Sequence, residues 1–494
     1  MRAGAAVLAA AVCALAGPAA RGAPGEWPQS RHDAQNTGAV ELEAPRAGAP
    51  RAWTFDGSGR VWGYEPGMTV WSPPAVAEVD GRALLVAGSY DRTVYALDAA
   101  TGEVRWRFTA GAPVFATPVI ARQGDRVQVV AAANDRLVYA IDAALGRQLW
   151  VHSVEEYRPT LGGARLGAPC VGRAGEVDAV FVPHWVWDRS LGRGLQRGGL
   201  TALGWRDGKP RWTAELGDNE LTAAIYGTVA GRGRLFLGST NGNVYAVDAA
   251  SGHVRWRHTE LDAVRSPPAL LDGPRPLVVM ASKFGAVRAL DAATGREVWQ
   301  RKTGDRVTGA PAIVPSLGTA PGPAVVVGSY DRTLYALDGA TGAVRWRYGA
   351  RGGIYSSPAV AAGPAPLVLV SAWDHLLHAV RLDDGAPVFQ SFTGRPLWDV
   401  AGLDESTWSS PVTARLGGRR MVYAGGYDGI LRALPLDEAG RAAPPVRSNG
   451  AFWLSFPITL GPLALLAVWL TRRERQRRRR SQSQAPTSRS GTSA

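Results

Sequence analysis

Four groups of residues have types or spacings that could do chemistry. The first is the histidine pair in DHLLH, His375 and His378, which raises the idea of a shared metal. On a strand, residues three apart point to opposite faces, so the two do not make one ligand set. The second is Cys170, the one thiol remaining if a leader carrying Cys13 is removed. It opens a predicted strand and reads as a small buried residue, and no intramolecular disulfide is then possible. The third is the glycine-rich GRGLQRGG, residues 192–199, which does not lead from a strand into a helix and so lacks the frame of a phosphate loop. The fourth is a set of aromatic and arginine residues: Trp62, Tyr64, Trp71, Phe115, Tyr157, Arg158, Arg165, Trp187, Arg193, Tyr226, Arg265, Arg351, Tyr355, Trp398 and Trp408. Trp, Tyr and Arg anchor protein interfaces, and the same types stack on sugars or quinones.

Whether that set forms a site depends on the elements that carry it, and these come from a repeat. GSYDRTVYALDAATGEVRW begins at Gly88 and GSYDRTLYALDGATGAVRW at Gly328; they differ only at Val94/Leu334, Ala99/Gly339 and Glu103/Ala343. The phrase ALDAATGxxxW recurs, with its tryptophan at Trp106, Trp150, Trp256, Trp299 and Trp346; degraded copies end at Trp212 and Phe389. Most spacings are 43 to 47 residues, and the 62-residue step from Trp150 to Trp212 marks an insertion. Each copy reads as four short strands: a small-Pro-apolar opening, an apolar run, an alternating run, and a strand ending in the tryptophan. Four strands per repeat of this length predict a propeller blade. SPPAV, ATPVI, GAPCV, IYGTV, SPPAL, GAPAI, SSPAV and SSPVT open eight blades. The eighth lacks a tryptophan strand, and the N-terminal PRAWTFDG, with Trp53, has no blade of its own. The fold expected is therefore all-β, an eight-bladed propeller closed by an N-terminal strand, which hides its edges.

Roles within the phrase follow from residue type. Gly102, Gly252, Gly295 and Gly342 allow a positive-φ turn between third and fourth strands. Asp98, Asp248, Asp291 and Asp338 can accept hydrogen bonds from turn backbone. The tryptophans offer a flat body to pack between blades and an N–H that needs a partner. The phrase is structural. Strand parity puts these uniform turns and the first-to-second loops on one face. The second-to-third loops and the blade connectors lie on the other, which holds the irregular segments 57–71, 151–167, 184–199 and 390–408 and the aromatic–arginine set. Variable loops at one end of a rigid scaffold are where binding residues usually lie.

The two ends of the chain read as targeting segments. Residues 1–23 have the pattern of a signal peptide: Arg2, an apolar stretch, then small residues. Residues 441–450 read as a linker. Residues 451–470, AFWLSFPITLGPLALLAVWL, are long enough at ~1.5 Å per residue to span a bilayer core as a transmembrane helix. Residues 471–494 carry eight arginines and one glutamate and would stay in the cytoplasm. Most of the formal charge of +13 sits there, so the basic balance does not point to nucleic acid. The expected location is a single-pass protein of the cytoplasmic membrane with its propeller on the periplasmic side. The last propeller strand ends near the uniform face, which predicts that this face lies toward the membrane.

ALDAATGEVRW resembles the tryptophan-docking motif of pyrroloquinoline quinone (PQQ) propellers, and WPQSRHDAQNTG, residues 27–38, resembles the start of many such domains. The resemblance covers about residues 27–440. It implies one of two groups: quinoprotein dehydrogenases holding PQQ and calcium, or non-enzymatic propellers such as the assembly lipoprotein BamB. The chain has no vicinal cysteine pair, no CxxCH haem motif, and no Asp, Glu and Asn set matching the dehydrogenase motifs. The resemblance therefore implies a BamB-like, non-enzymatic interaction scaffold with envelope protein partners, no cofactor, and membrane contact through the C-terminal helix. A PQQ-dependent dehydrogenase and a glycan-binding or sensor ectodomain are the alternatives.

Overall fold

The apolar runs of each repeat are short and separated by turn residues, so they form sheets and not helices. The computed structural model describes residues 39–41, 53–56 and 72–436, apart from 125, 155–163, 189–194, 218–219, 260–261, 316–321, 364, 375, 393–408 and 426–429. The described residues fall within one unit that runs to Pro444. They are all-β and make eight sheets. In the first blade, Ala75–Val79, Arg82–Gly88, Thr93–Asp98 and Val104–Thr109 pair antiparallel in chain order. The second and third strands are buried almost throughout, because both faces meet neighbouring blades. The fourth strand is mostly exposed and buries Trp106.

The ring closes as the sequence predicts. Trp53–Asp56 pairs with Ile430–Leu436 and completes the eighth blade, with Trp53 opposite Ala433 as Trp106 is opposite Ala96. A further strand, Ala39–Glu41, lies parallel to Val412–Leu416 on the other edge of that blade and was not foreseen. The expected signal peptide, linker, transmembrane helix and basic tail lie outside the described residues, and among those described no helix is long and apolar enough to cross a membrane.

Blades are joined by one repeated contact. The indole N–H of Trp106 donates to the carbonyl of Ala143 in the next blade at 2.9 Å, and Trp150, Trp212, Trp256, Trp299 and Trp346 donate likewise to Trp205, Ala249, Ala292, Gly339 and Leu382. Each indole also lies against a turn glycine of that next blade. A Cβ on Gly342, whose φ is +70°, would stand 2.6 Å from the Trp299 ring. The glycine is thus required twice, for its φ and for the seat it leaves. Gly102, Gly252 and Gly295 share the positive φ, and the latter two seat Trp212 and Trp256.

The aspartates hold the same turns. Asp98 accepts from the amides of Ala100 and Thr101 and pairs with Arg105. Asp338 pairs with Arg345 at 2.6 Å, Asp291 with Arg275 at 2.7 Å, and Asp248 with both Arg234 and Arg255 at 2.7 Å. Burial pushes the Asp248 carboxyl up, but the Arg255 and Ser251 hydrogen bonds and the Arg234 charge outweigh it and hold it below its ordinary value. In the degraded copy Gly204 takes the aspartate's position. A Cβ there would meet Asp207 Oδ1 and Arg211 Nη2, both at 2.3 Å, so a displaced carboxylate–guanidinium pair fills the site.

Gly342→Ala is expected to lower stability by about 1–3 kcal/mol, since it both strains φ and pushes on Trp299. Trp299→Ala should cost about 3–5 kcal/mol. Urea midpoints followed by tyrosine and tryptophan fluorescence test both. A Gly342→Ala protein as stable as wild type would contradict the double role of the glycine.

Candidate functional site

On the face opposite the docking turns, most described second-to-third turns are pinned by one carboxylate, and the fourth blade uses the side-chain amide of Asn241 instead. Asp91 accepts from the Thr93 amide at 2.9 Å and from the Tyr95 hydroxyl at 2.6 Å. Asp135 repeats this with Leu137 and Tyr139, and also accepts from the amide of Gly111 in the connector arriving from the previous blade, at 2.8 Å. Asp331 does the same with Thr333, Tyr335 and Gly304. Burial, and then the bond to the aspartate, push the Tyr95 and Tyr139 hydroxyls up to about 12. In the fifth blade Phe284 takes the aspartate's position, and Asp262 of the connector accepts from its amide instead. These pins tie the loops to the scaffold. The recurring Asp-x-x-x-Tyr spacing is the signal of these pins in the sequence.

The seventh blade changes the chemistry. His378 replaces the tyrosine and is fully buried, with Nε2 2.9 Å from Asp374 Oδ1 and Nδ1 2.9 Å from the Tyr348 hydroxyl. A proton on Nε2, donating to Asp374, leaves Nδ1 to accept from Tyr348. Gln390 donates to Tyr348 at 3.2 Å, and the Arg351 amide donates to Asp374 at 3.1 Å. His375 lies outside the described residues. Among those described, no three His, Cys, Asp or Glu side chains come together as a metal would need.

The structure brings some of the aromatic–arginine set together. Phe115 packs edge-on against Tyr90, centroids 5.0 Å apart. Tyr355 packs on Trp373, which meets Tyr330 edge-on at 4.9 Å; the Arg306 guanidinium lies 4.9 Å over the Tyr330 ring. Arg265, Arg351 and Arg165 are exposed. Tyr226 is elsewhere: it lies within the first strand of the fourth blade, stacked on Phe181 of the third at 6.1 Å, where Gly172 leaves room for its ring. It packs blades together instead of standing in a connector. Trp187 lies in a strand; Trp62, Tyr64, Trp71, Tyr157, Arg158, Arg193, Trp398 and Trp408 lie outside the described residues. The residues not singled out from sequence are Tyr90, Tyr330, Trp373 and Phe284, the last 68% exposed. Position within the turn, just before or at the pinning aspartate, would have found them.

Segment 184–199, expected as an irregular loop, is largely strand. Val177–Asp188 and Leu195–Gly204 form a long hairpin that extends the third blade, and Ala164–Leu166 pairs along its outer part. His184 is buried opposite Gly199, where a Cβ would stand 2.4 Å from Nε2. Cys170 is fully buried at the hairpin's base, and burial raises its thiol well above the ordinary range.

A quinone site of the dehydrogenase type needs oxygen donors for calcium. The Asp91, Asp135 and Asp331 carboxylates are each engaged by amides and a tyrosine hydroxyl within their own turns.

The family model described as outer membrane protein assembly factor BamB matches residues 46–270, 196–314 and 283–441. The outer membrane protein assembly factor BamB of Salmonella typhimurium is 28% identical over 125 residues, covering 20% of this chain and 32% of that protein. The chain thus spans about a third of that relative's length. Among solved structures, the quinohemoprotein alcohol dehydrogenase from Comamonas testosteroni superposes with a TM-score of 0.60 at 16% identity, over 87% of this chain and 83% of that one. BamB from Moraxella catarrhalis superposes with a TM-score of 0.51 at 16% identity, over 78% and 97%. At that identity the likeness to both structures is one of fold.

The hairpin's base makes this part of the fold sensitive to acid. Burial lowers His184 to about 4, against an ordinary 6.5. The unfolded chain then binds the extra proton first, so stability is lost as pH falls from 6.5 toward 4. The two values correspond to about 3 kcal/mol at the acid end. Urea midpoints at pH 7 and pH 4 should converge toward each other in His184→Leu and separate in wild type; parallel profiles would contradict this assignment.

Proposed function

The chain belongs to the family of the outer membrane protein assembly factor BamB, and from that premise we propose that its propeller is a protein-interaction scaffold. The loop-rich face receives envelope proteins. The observation that carries this reading is the asymmetry of the two faces. One face is spent on uniform turns whose glycines and backbone carbonyls seat the neighbouring blade's tryptophan. The other holds exposed aromatic and arginine residues on loops fixed by aspartate pins, the composition and rigidity of a protein-binding surface. Anchoring is proposed through a transmembrane helix at 451–470, with the chain exported by residues 1–23, the propeller in the periplasm and the basic segment 471–494 in the cytoplasm. Assembly of the cell envelope is the process this would serve.

A second reading, a PQQ-linked dehydrogenase, is favoured by the shared fold alone. Dye reduction on adding PQQ and calcium to the purified protein would establish it and overturn the non-enzymatic reading. For the scaffold reading, photoreactive residues placed in cells at Phe284, Trp373 and Phe115, with Glu103 on the uniform face as control, should give discrete protein adducts from the three loop positions only. Adducts from Glu103 alone, or from none of the four, would contradict the proposal.

A further inference from the structure

Closing the ring leaves each blade one open edge, its outermost strand. Open edges are guarded by charge or proline, which keep other strands from pairing with them. Seven of the eight outer strands follow that rule. In the first, fourth and sixth blades arginine flanks the docking tryptophan on both sides, as Arg105 and Arg107 flank Trp106. The third, fifth and eighth carry Arg211, Arg301 and Asp56, and the seventh begins with Pro387. The second blade's strand, Gln148–Ser153, reads QLWVHS and has neither charge nor proline. It ends its sheet, with Leu137–Asp142 on its one paired side. Leu149 and Val151 stand where the first blade has Arg105 and Arg107. The partners of those arginines are kept. Arg105 pairs with Asp98, and Arg107 lies 5.5 Å over the Tyr95 ring; the second blade has Asp142 and Tyr139 in those places. The exchange gives up two favourable contacts and leaves apolar surface, with Leu149 36% and Val151 44% exposed. Leu145, 60% exposed in the preceding turn, adds to it where the first and sixth blades have Thr101 and Thr341. The fold does not explain these choices.

We propose that the chain pairs with a second copy of itself along Gln148–Ser153, joining the second blades of two propellers into one sheet. The backbone supplies the register. The Val154 amide bonds to the Arg136 carbonyl, so Trp150 and His152 face Leu137–Asp142. Val151 and Ser153 therefore turn their amides and carbonyls outward. An identical antiparallel strand, with the two-fold axis at His152, engages all four of these groups. Val151 then stands opposite Ser153 of the second copy, and His152 opposite its own counterpart in a non-hydrogen-bonded pair. The two Val151 side chains become diagonal neighbours and cover each other's exposed surface. The contact is isologous and closes after two copies. Charge favours a copy over another protein. Paired with itself, an arginine-bearing outer strand sets like charges face to face, and this strand does not. An acidic partner segment would instead be drawn to the arginine-bearing edges of the first, fourth and sixth blades.

The test uses the full chain in detergent. Sedimentation of the wild type should show a dimer. Leu149→Arg combined with Val151→Arg restores the first blade's pattern beside Asp142 and Tyr139. It should raise the dissociation constant of the dimer at least about tenfold, with a melting temperature unchanged or raised. A second measurement leaves the apolar residues in place. Oxidation of His152→Cys should give a disulfide-linked dimer, because the two-fold axis sets the two thiols opposite each other. Thr109→Cys, on the first blade's outer strand, should give none. Three results would overturn the proposal: a monomeric wild type, a dimer undiminished in the double arginine variant, or equal crosslinking from the two cysteine positions.

Discussion

The structure depends on one contact made again and again: a tryptophan of one blade donating its indole N–H to a backbone carbonyl of the next and lying on that blade's turn glycine. Sheets pack face to face by apolar burial, which sets no angle by itself. The indole bond does, because a buried N–H left unpaired costs about 1–3 kcal/mol and the carbonyl is in reach at only one orientation. Six described tryptophans repeat it, at 2.9 to 3.0 Å. The blade-to-blade rotation is thereby held constant, as a closed ring requires.

That constraint divides the molecule's surface. The turn that seats an indole must keep its glycine and its length, so the face carrying these turns varies little. The connectors on the other face are held by the aspartate pins and by backbone bonds such as Val114 onto the Ser89 carbonyl, which fix the backbone and leave the outward side chain open. Residues there differ from blade to blade: Tyr90, Asn134, Thr240, Lys283, Tyr330 and Trp373 share one position. The third blade goes further and extends its middle strands into a hairpin, and the seventh exchanges a tyrosine for His378 while keeping the bond to the aspartate. These exchanges leave the indole contacts of the ring undisturbed.

The ring was legible because its signal is repeated. Each tryptophan copy marks a blade, and the unpaired PRAWTFDG against the incomplete eighth repeat identified the closing strand. The parallel strand Ala39–Glu41 gave no such sign, since three residues carry no pattern and its partner is distant in sequence. The glycines were assigned to φ alone, because the indole they seat belongs to a different repeat. The site was less legible. Phe115 and Tyr355 do lie in connectors, but Tyr226 was placed with them although its strand begins one residue earlier, and its ring fills the space left by Gly172. Trp373 and Tyr330 went unnoticed because they sit inside the repeated phrase, where every residue was credited to the fold. Segment 184–199 looked irregular through its glycines, yet Gly199 is there to admit His184 across a regular ladder.

The central claim is that one face builds and the other recognises. Hydrogen–deuterium exchange of the full chain, alone and with detergent-solubilised envelope proteins from its own cell, tests it most directly. The account predicts slowed exchange at the turns 89–92, 329–332 and 372–376 and in the connectors beside them, with 99–103 and 249–253 unchanged. Slowed exchange confined to 99–103, 249–253 and their counterparts would place recognition on the docking-turn face and contradict it.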